Sequence, residues 1–168
     1  ANIDGFDPAE QIDGWAGQLT AADLSPAADW RPAGHRSELD RWILSELNRT
    51  VGTVIQQMDA YDNFGACKRL NAFVDALSNW YVRRSRDLFW SGDKQSPDKL
   101  DAYWTLYEVL LTTSKMIAPF VPFVAEAVWR NLTGVFGDRA VESVHLCDYP
   151  TPDDDAIDGV LSERMALG

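Results

Sequence analysis

The chain has 168 residues and a mass of 18.8 kDa, the length of one domain with tails. Its 46% hydrophobic and 24% charged residues exclude a chain disordered throughout, and no run reaches the roughly 20 apolar residues of a membrane span. The net charge of −11 is uneven: residues 1–35 carry −5, residues 36–135 carry 0 and residues 136–168 carry −6, so the neutral middle can grip phosphates locally but not steer nucleic acid from a distance.

Residues 1–36 read as an irregular lead-in. Asp4-Gly5-Phe6-Asp7-Pro8, Ser25-Pro26 and Arg31-Pro32-Ala33-Gly34 are turn and breaker signals. A short helix over Pro8–Gln18 or Ala21–Leu24 fits between them. From Ser37 the pattern changes: Leu39, Trp42, Ile43, Leu47, Val51, Val54, Ile55 and Met58 recur at three- and four-residue steps, the stripe of an amphipathic helix. Ser37 followed by Asp40 nearly matches a capping box. Asp59–Asn63 is a tight connection, and Asp62 or Asn63 caps a second helix. Its stripe is Cys67, Leu70, Val74, Leu77, Tyr81 and Leu88, with a stop at Ser91-Gly92-Asp93.

Ser96-Pro97-Asp98 opens a third helix with a capping Ser, Pro in the first turn and an acid beside it. Leu100, Tyr103, Trp104, Tyr107, Leu110, Leu111, Ser114 and Ile117 form its stripe, and Pro119 ends it. Pro122 opens a fourth, with Phe123, Val124, Ala127, Val128 and Leu132 expected inward and Gly134 closing it. Segment 143–150 looks extended. Asp153-Asp154-Asp155 caps a last helix carrying Ile157, Val160, Leu161 and Met165, with little to pack on. The expected fold is all-α: an antiparallel helical bundle over 37–135, preceded by the 1–36 lead-in. Residues 136–168 follow as an extended segment and the start of a C-terminal module. With no initiator Met and no signal peptide, the chain reads as a cytoplasmic piece of a longer protein.

No Gly-rich phosphate loop and no paired metal ligands are visible. His35 and His145 are far apart, and both read as surface residues. Cys67 reads as a small core residue, and Cys67 and Cys147 alone make neither a disulfide framework nor a four-ligand zinc site. No nucleophile, base and orienter converge, so the expectation is no catalytic residue, no metal and no cofactor in this chain.

The densest feature is Ser78-Asn79-Trp80-Tyr81-Val82-Arg83-Arg84-Ser85-Arg86-Asp87-Leu88-Phe89-Trp90. At 100° per residue, Tyr81 and Leu88 point to the core with Leu77 and Val74. Trp80, Arg69, Phe73, Arg84 and Asp87 share another face, with Arg83 beside them. Guanidinium groups hold phosphates bidentately, and an indole stacks on a splayed base, which suits single-stranded RNA loops. The candidate RNA-binding residues are therefore Arg83, Arg84, Arg86, Trp80, Arg69 and Trp90. Core packing is the favoured reading of the aromatics, and the arginines divide evenly between the two. Trp42, Trp104 and Trp129 fall on or near the stripes and read as core.

Leu39-Asp40-Arg41-Trp42-Ile43-Leu44, Asn63-Phe64, the Ser78–Arg86 run with Phe89-Trp90, Ala118-Pro119-Phe120-Val121-Pro122-Phe123 with Glu126 and Trp129, and Glu142-Ser143-Val144-His145-Leu146 together resemble the anticodon-binding region of isoleucyl-tRNA synthetases. Ala1–Phe6 resembles the stretch following the catalytic domain there. The Pro-Phe-Val-Pro-Phe element marks only the wider class Ia group; the Asn-Trp-Tyr-Val-Arg-Arg-Ser-Arg run points to the isoleucine enzymes. The resemblance implies a monomeric helical module that docks the anticodon stem-loop of isoleucine tRNA. ATP with Mg, and isoleucine activation, would belong to the parent's separate catalytic domain. The alternatives are a structural docking bundle between the parent's modules, with little RNA contact, or the equivalent domain of a valyl or leucyl enzyme.

Overall fold

Ser37 starts the first long helix as its sequence predicts: the hydroxyl oxygen accepts the Asp40 amide at 3.1 Å and donates to Asp40 Oδ2 at 2.6 Å. The computed structural model describes residues 6–11, 29–93 and 96–166. Among them no strand is present. The helices are α1 (Pro8–Gln11), α2 (Glu38–Asp59), α3 (Asn63–Asp75), a π-helical segment (Ala76–Val82), α4 (Arg86–Phe89), α5 (Pro97–Ile117), α6 (Pro122–Thr133) and α7 (Gly159–Ala166). The fold is all-α, as expected. The expected helix over Ala21–Leu24, and the end of that over Pro8–Gln18, lie outside the described residues.

The chain forms two compact units, 1–32 with 91–150 and 33–90 with 151–168. In the second, α2 packs along α3, and α7 packs on α2. Ile43, Leu47, Val51, Val54, Ala66, Leu70, Phe73, Leu77 and Tyr81 are buried. Asp62 caps α3 by accepting the Gly65 amide at 2.9 Å. A Cβ on Gly65 would collide with the capping carboxylate and with Gln57 Nε2, so a larger residue there would push the cap aside. Just before it Tyr61 adopts φ 59°, a left-handed turn rare for a bulky residue.

Four expectations for this unit need correction. The second helix is not one α-helix: its middle winds as a π-helix, and the 63–90 stripe slips out of phase because a π turn holds more residues. Consequently Cys67 and Val74 are exposed, whereas Phe73 is buried, in line with the core reading favoured for the aromatics. Asp153 caps only the short 3₁₀ turn Asp154–Ala156, and the α7 N-terminus is capped by Asp158, whose Oδ1 accepts the Leu161 amide at 2.9 Å. The last helix is anchored: Leu161 is buried, Arg41 reaches Asp158 at 3.3 Å, and Ser45 Oγ accepts the Asp158 amide at 2.8 Å.

In the first unit, Pro97 and Pro122 stand in the first turns of α5 and α6, and α5 stops two residues before Pro119. Trp104, Tyr107, Leu111, Ala118, Ala125, Trp129, Phe136 and Val144 make the core. The lead-in contributes to it. Phe6 stacks on Tyr103 at 5.2 Å and meets Trp104 edge-on at 5.0 Å. Trp30 Nε1 donates to Glu108 at 2.6 Å, and Arg31 forks onto buried Asp101. Ser96 holds the N-cap position of α5 without a side-chain cap bond. The inward face of α6 differs from the expected one: Ala125, Trp129 and Thr133 are buried, whereas Phe123 and Val124 are exposed. Trp129 Nε1 donates to Val141 O at 2.9 Å and fixes that face. Residues 144–146 form a 3₁₀ turn rather than an extended run. Glu126 holds it, accepting the Ser143 hydroxyl at 2.8 Å and the Val144 amide at 3.0 Å. Burial pushes the Glu126 carboxyl upward. The bonds from Ser143, Arg130 and Val144 and the Arg130 charge outweigh that and hold it below its ordinary range.

Candidate nucleic-acid interface

The π segment decides where the arginine-rich run points. It is tied to the start of α2 by a buried bond from Tyr81 OH to Asp40 Oδ1 at 2.6 Å. Both partners are almost fully buried, where a lost partner would leave an unsatisfied polar group. Beyond Tyr81 the chain makes one loose turn at Ser85 and then α4.

That geometry splits the six predicted residues into three sets. Arg83, Arg86 and Trp90 come together, lining an open cleft of about 520 Å³ with Ser78, Val82 and Phe89. Trp90 is 75% exposed. Arg83 and Arg86 are exposed and make no ion pair or side-chain hydrogen bond among the described residues. Arg84 points elsewhere, with its guanidinium carbon 4.2 Å from the centre of the half-buried Trp80 ring. Trp80 in turn lies 6.4 Å from Trp42 at a 53° tilt. Arg69 joins neither group. It reaches back to α2, where Nη2 meets Glu46 Oε2 at 3.1 Å, and its Nε is buried without a partner. The expected face shared by Arg69, Phe73, Trp80 and Arg84 is therefore not formed as one surface.

Chemically, the Arg83–Arg86–Trp90 cleft offers two forked cations and an open indole face. These groups contact phosphates and stack on an unpaired base. Sequence reasoning named these three residues but did not separate them from Arg84 and Arg69, and it missed Phe89 as a wall of the cleft. Six hydrophobic or aromatic residues in 78–90 flank the arginines, three on each side, which was the available signal for Phe89.

His145 is exposed, next to the half-buried Cys147. Burial pushes the Cys147 thiol above its ordinary range, and Lys115 only partly opposes it. That suits a packed thiol rather than a nucleophile. Among the described residues no three His, Cys, Asp or Glu side chains gather for a metal ion.

Arginines and an open indole on a helical scaffold are groups with which a protein can contact RNA. The family described as the anticodon-binding domain of tRNA ligase matches residues 40–167, and the chain belongs to that family. It is 45% identical over 167 residues, 99% of its length, to an isoleucine–tRNA ligase of Dehalococcoides mccartyi, and covers 14% of that protein. It is 48% identical over 154 residues, 92% of its length, to one from Streptomyces coelicolor, and covers 13%. With one from Clostridium novyi it shares 48% identity over 129 residues, 77% of the chain and 12% of the relative. The chain thus spans about one-seventh of the length of these relatives.

Proposed function

We propose that the chain is the anticodon-binding domain of an isoleucine–tRNA ligase, acting in the cytoplasm as a monomeric module that docks the anticodon stem-loop of isoleucine tRNA. The observation that carries the reading is the cleft of Arg83, Arg86, Phe89 and Trp90, with two guanidinium groups lacking ion pairs among the described residues. Arg83 and Arg86 grip backbone phosphates, and Trp90 stacks on a splayed base. No helix among the described residues is long and apolar enough to cross a membrane.

The parent joins isoleucine to tRNA at the expense of ATP, which acts with Mg. The residues of this chain do not fit those two groups: the sequence has no Gly-rich phosphate loop, and no metal-ligand cluster gathers among the described residues. Activation is therefore assigned to the rest of the parent, and this chain contributes tRNA placement alone.

Arg83→Gln with Arg86→Gln tests the cleft. In a salt titration of tRNA binding, the log–log slope should fall by about one unit per lost phosphate contact, with an unchanged melting temperature. Unchanged affinity and slope would remove the cleft from the interface.

One observation favours a second reading, a docking bundle. Val121, Phe123 and Val124, the N-cap and first turn of α6, are 45%, 89% and 57% exposed. If another module of the parent covers them, Phe123→Ser should leave the melting temperature of this chain unchanged and lower that of the full-length protein.

A further inference from the structure

We propose that a second cleft, formed by α2, the end of α3, the π segment and α7, binds an organic polycation of the aliphatic di- or polyammonium class. It has a volume of about 650 Å³ and includes none of the residues of the Arg83–Trp90 cleft. Its ligand is independent of tRNA docking.

The walls are aromatic. Trp42 and Trp80 line the cleft with centroids 6.4 Å apart, and indole faces attract cations through the ring quadrupole. Trp80 already displays that preference, because the Arg84 guanidinium stacks on it at 4.2 Å.

The rim is acidic. Glu46, Asp75 and Glu163 line the cleft with Arg49 as the one cation. Both Glu46 oxygens are taken, one by Arg49 at 3.0 Å and the other by Arg69 at 3.1 Å. Asp75 Oδ1 accepts a bond from Asn79 Nδ2 at 3.0 Å, and Oδ2 has no partner among the described residues. Glu163 is exposed and has no ion pair among the described residues. Two open carboxylates, carried on two different helices, match a ligand with two ammonium groups.

Ser162 supplies an independent indication. It lines the cleft at 8% exposure, and its hydroxyl oxygen is buried without a hydrogen-bond partner. Buried polar atoms are normally satisfied. An ammonium carries three donors and no acceptor: once the Ser162 hydroxyl rotates toward the cleft, one donor reaches its oxygen and another a carboxylate, while the methylene stem lies along the indoles.

Other ligands fit less well. The charged residues lining the cleft sum to −2, which repels the phosphates of a nucleotide or RNA. A bare divalent ion lacks a set of three converging ligands among the described residues.

The test is calorimetric titration of the full chain with spermidine at constant ionic strength. Saturable one-to-one binding is expected. Asp75→Asn with Glu163→Gln should weaken it about tenfold or more, because both charge-assisted contacts are lost. Ser162→Ala should weaken it measurably at an unchanged melting temperature. Mg²⁺ at matched ionic strength should not displace spermidine. The proposal is overturned by unchanged affinity in the double carboxylate variant or in Ser162→Ala, by displacement with Mg²⁺, or by no spermidine binding to the full-length protein that contains this chain. None of these results bears on the salt slope of tRNA binding.

Discussion

Trp80 and Trp90 flank the same arginine-rich run, and each stands beside a guanidinium, yet their surroundings differ. Trp80 sits half-buried at the end of the π segment, with Arg84 on one face and Trp42 nearby. Trp90 stands at the end of α4, 75% exposed, in an open cleft with Arg83 and Arg86. Residue type alone assigns both to one interface. The difference teaches that an arginine–tryptophan pair is internally satisfied where it stacks, and available to a partner where the indole face and the guanidinium donors stay open.

The comparison stands on the scaffold under both residues, so the largest effect should come from breaking that scaffold. Leu77 is 7% exposed inside the π segment. Leu77→Ala should lower unfolding stability by about 2–5 kcal/mol, as buried leucine deletions do. Chemical denaturation measures it. A loss under about 1 kcal/mol would mean that the π segment is not held by packing, and the separation of the two tryptophans would lose its physical basis.

The tryptophans themselves sharpen the contrast. Trp80→Ala should cost about 2 kcal/mol of stability, below the roughly 3–5 of a fully buried tryptophan, because Trp80 is only partly covered. Trp90→Ala should stay within about 0.5 kcal/mol of the parent in stability, and should cost about 1–3 kcal/mol of tRNA binding if a base stacks there. Thermal melts and binding isotherms on the two variants give opposite patterns. The same pattern in both would dissolve the distinction.

How much of this could be read from the sequence depends on how locally each feature is encoded. The Ser37 and Asp62 caps, the Pro97 and Pro122 helix starts and the stop before Pro119 each rest on residues within a turn of one another, and all were legible. So was the α2 core face, because 22 residues of regular winding keep the 3.6-residue period in phase. The π segment was not. Nothing within Ala76–Val82 breaks an α-helix; its Tyr81 is held by a bond to Asp40, 41 residues away. That slip misassigned Cys67 and Val74, and merged Trp80, Arg69 and Arg84 into one face. The α6 face failed for a similar reason, since it is set by contacts from Trp129 and Glu126 to residues 141–144. The lead-in aromatics Phe6 and Trp30 carried no periodic signal, and only their packing on α5 gives them a role.

The smallest expected effect is also a control on the whole comparison. Arg69 was placed among the RNA-facing residues by helical phase, but it is paired: its Nη2 lies 3.1 Å from Glu46 Oε2, and its side chain is 26% exposed. A guanidinium already engaged with a carboxylate neutralises no phosphate unless that pair is broken, so it releases no counterion on binding. Arg69→Gln should therefore leave the salt slope of tRNA binding unchanged, whereas the Arg83/Arg86 double variant flattens it. Stability should fall by about 1 kcal/mol or less, the ordinary worth of a partly exposed ion pair. Glu46 keeps its second partner, Arg49, at 3.0 Å, which limits the loss further. A slope reduced by a full unit in Arg69→Gln would mean that this arginine leaves Glu46 to meet RNA. The interface would then extend from the open Trp90 cleft across the α2–α3 face, and pairing in the free protein would no longer separate binding arginines from structural ones.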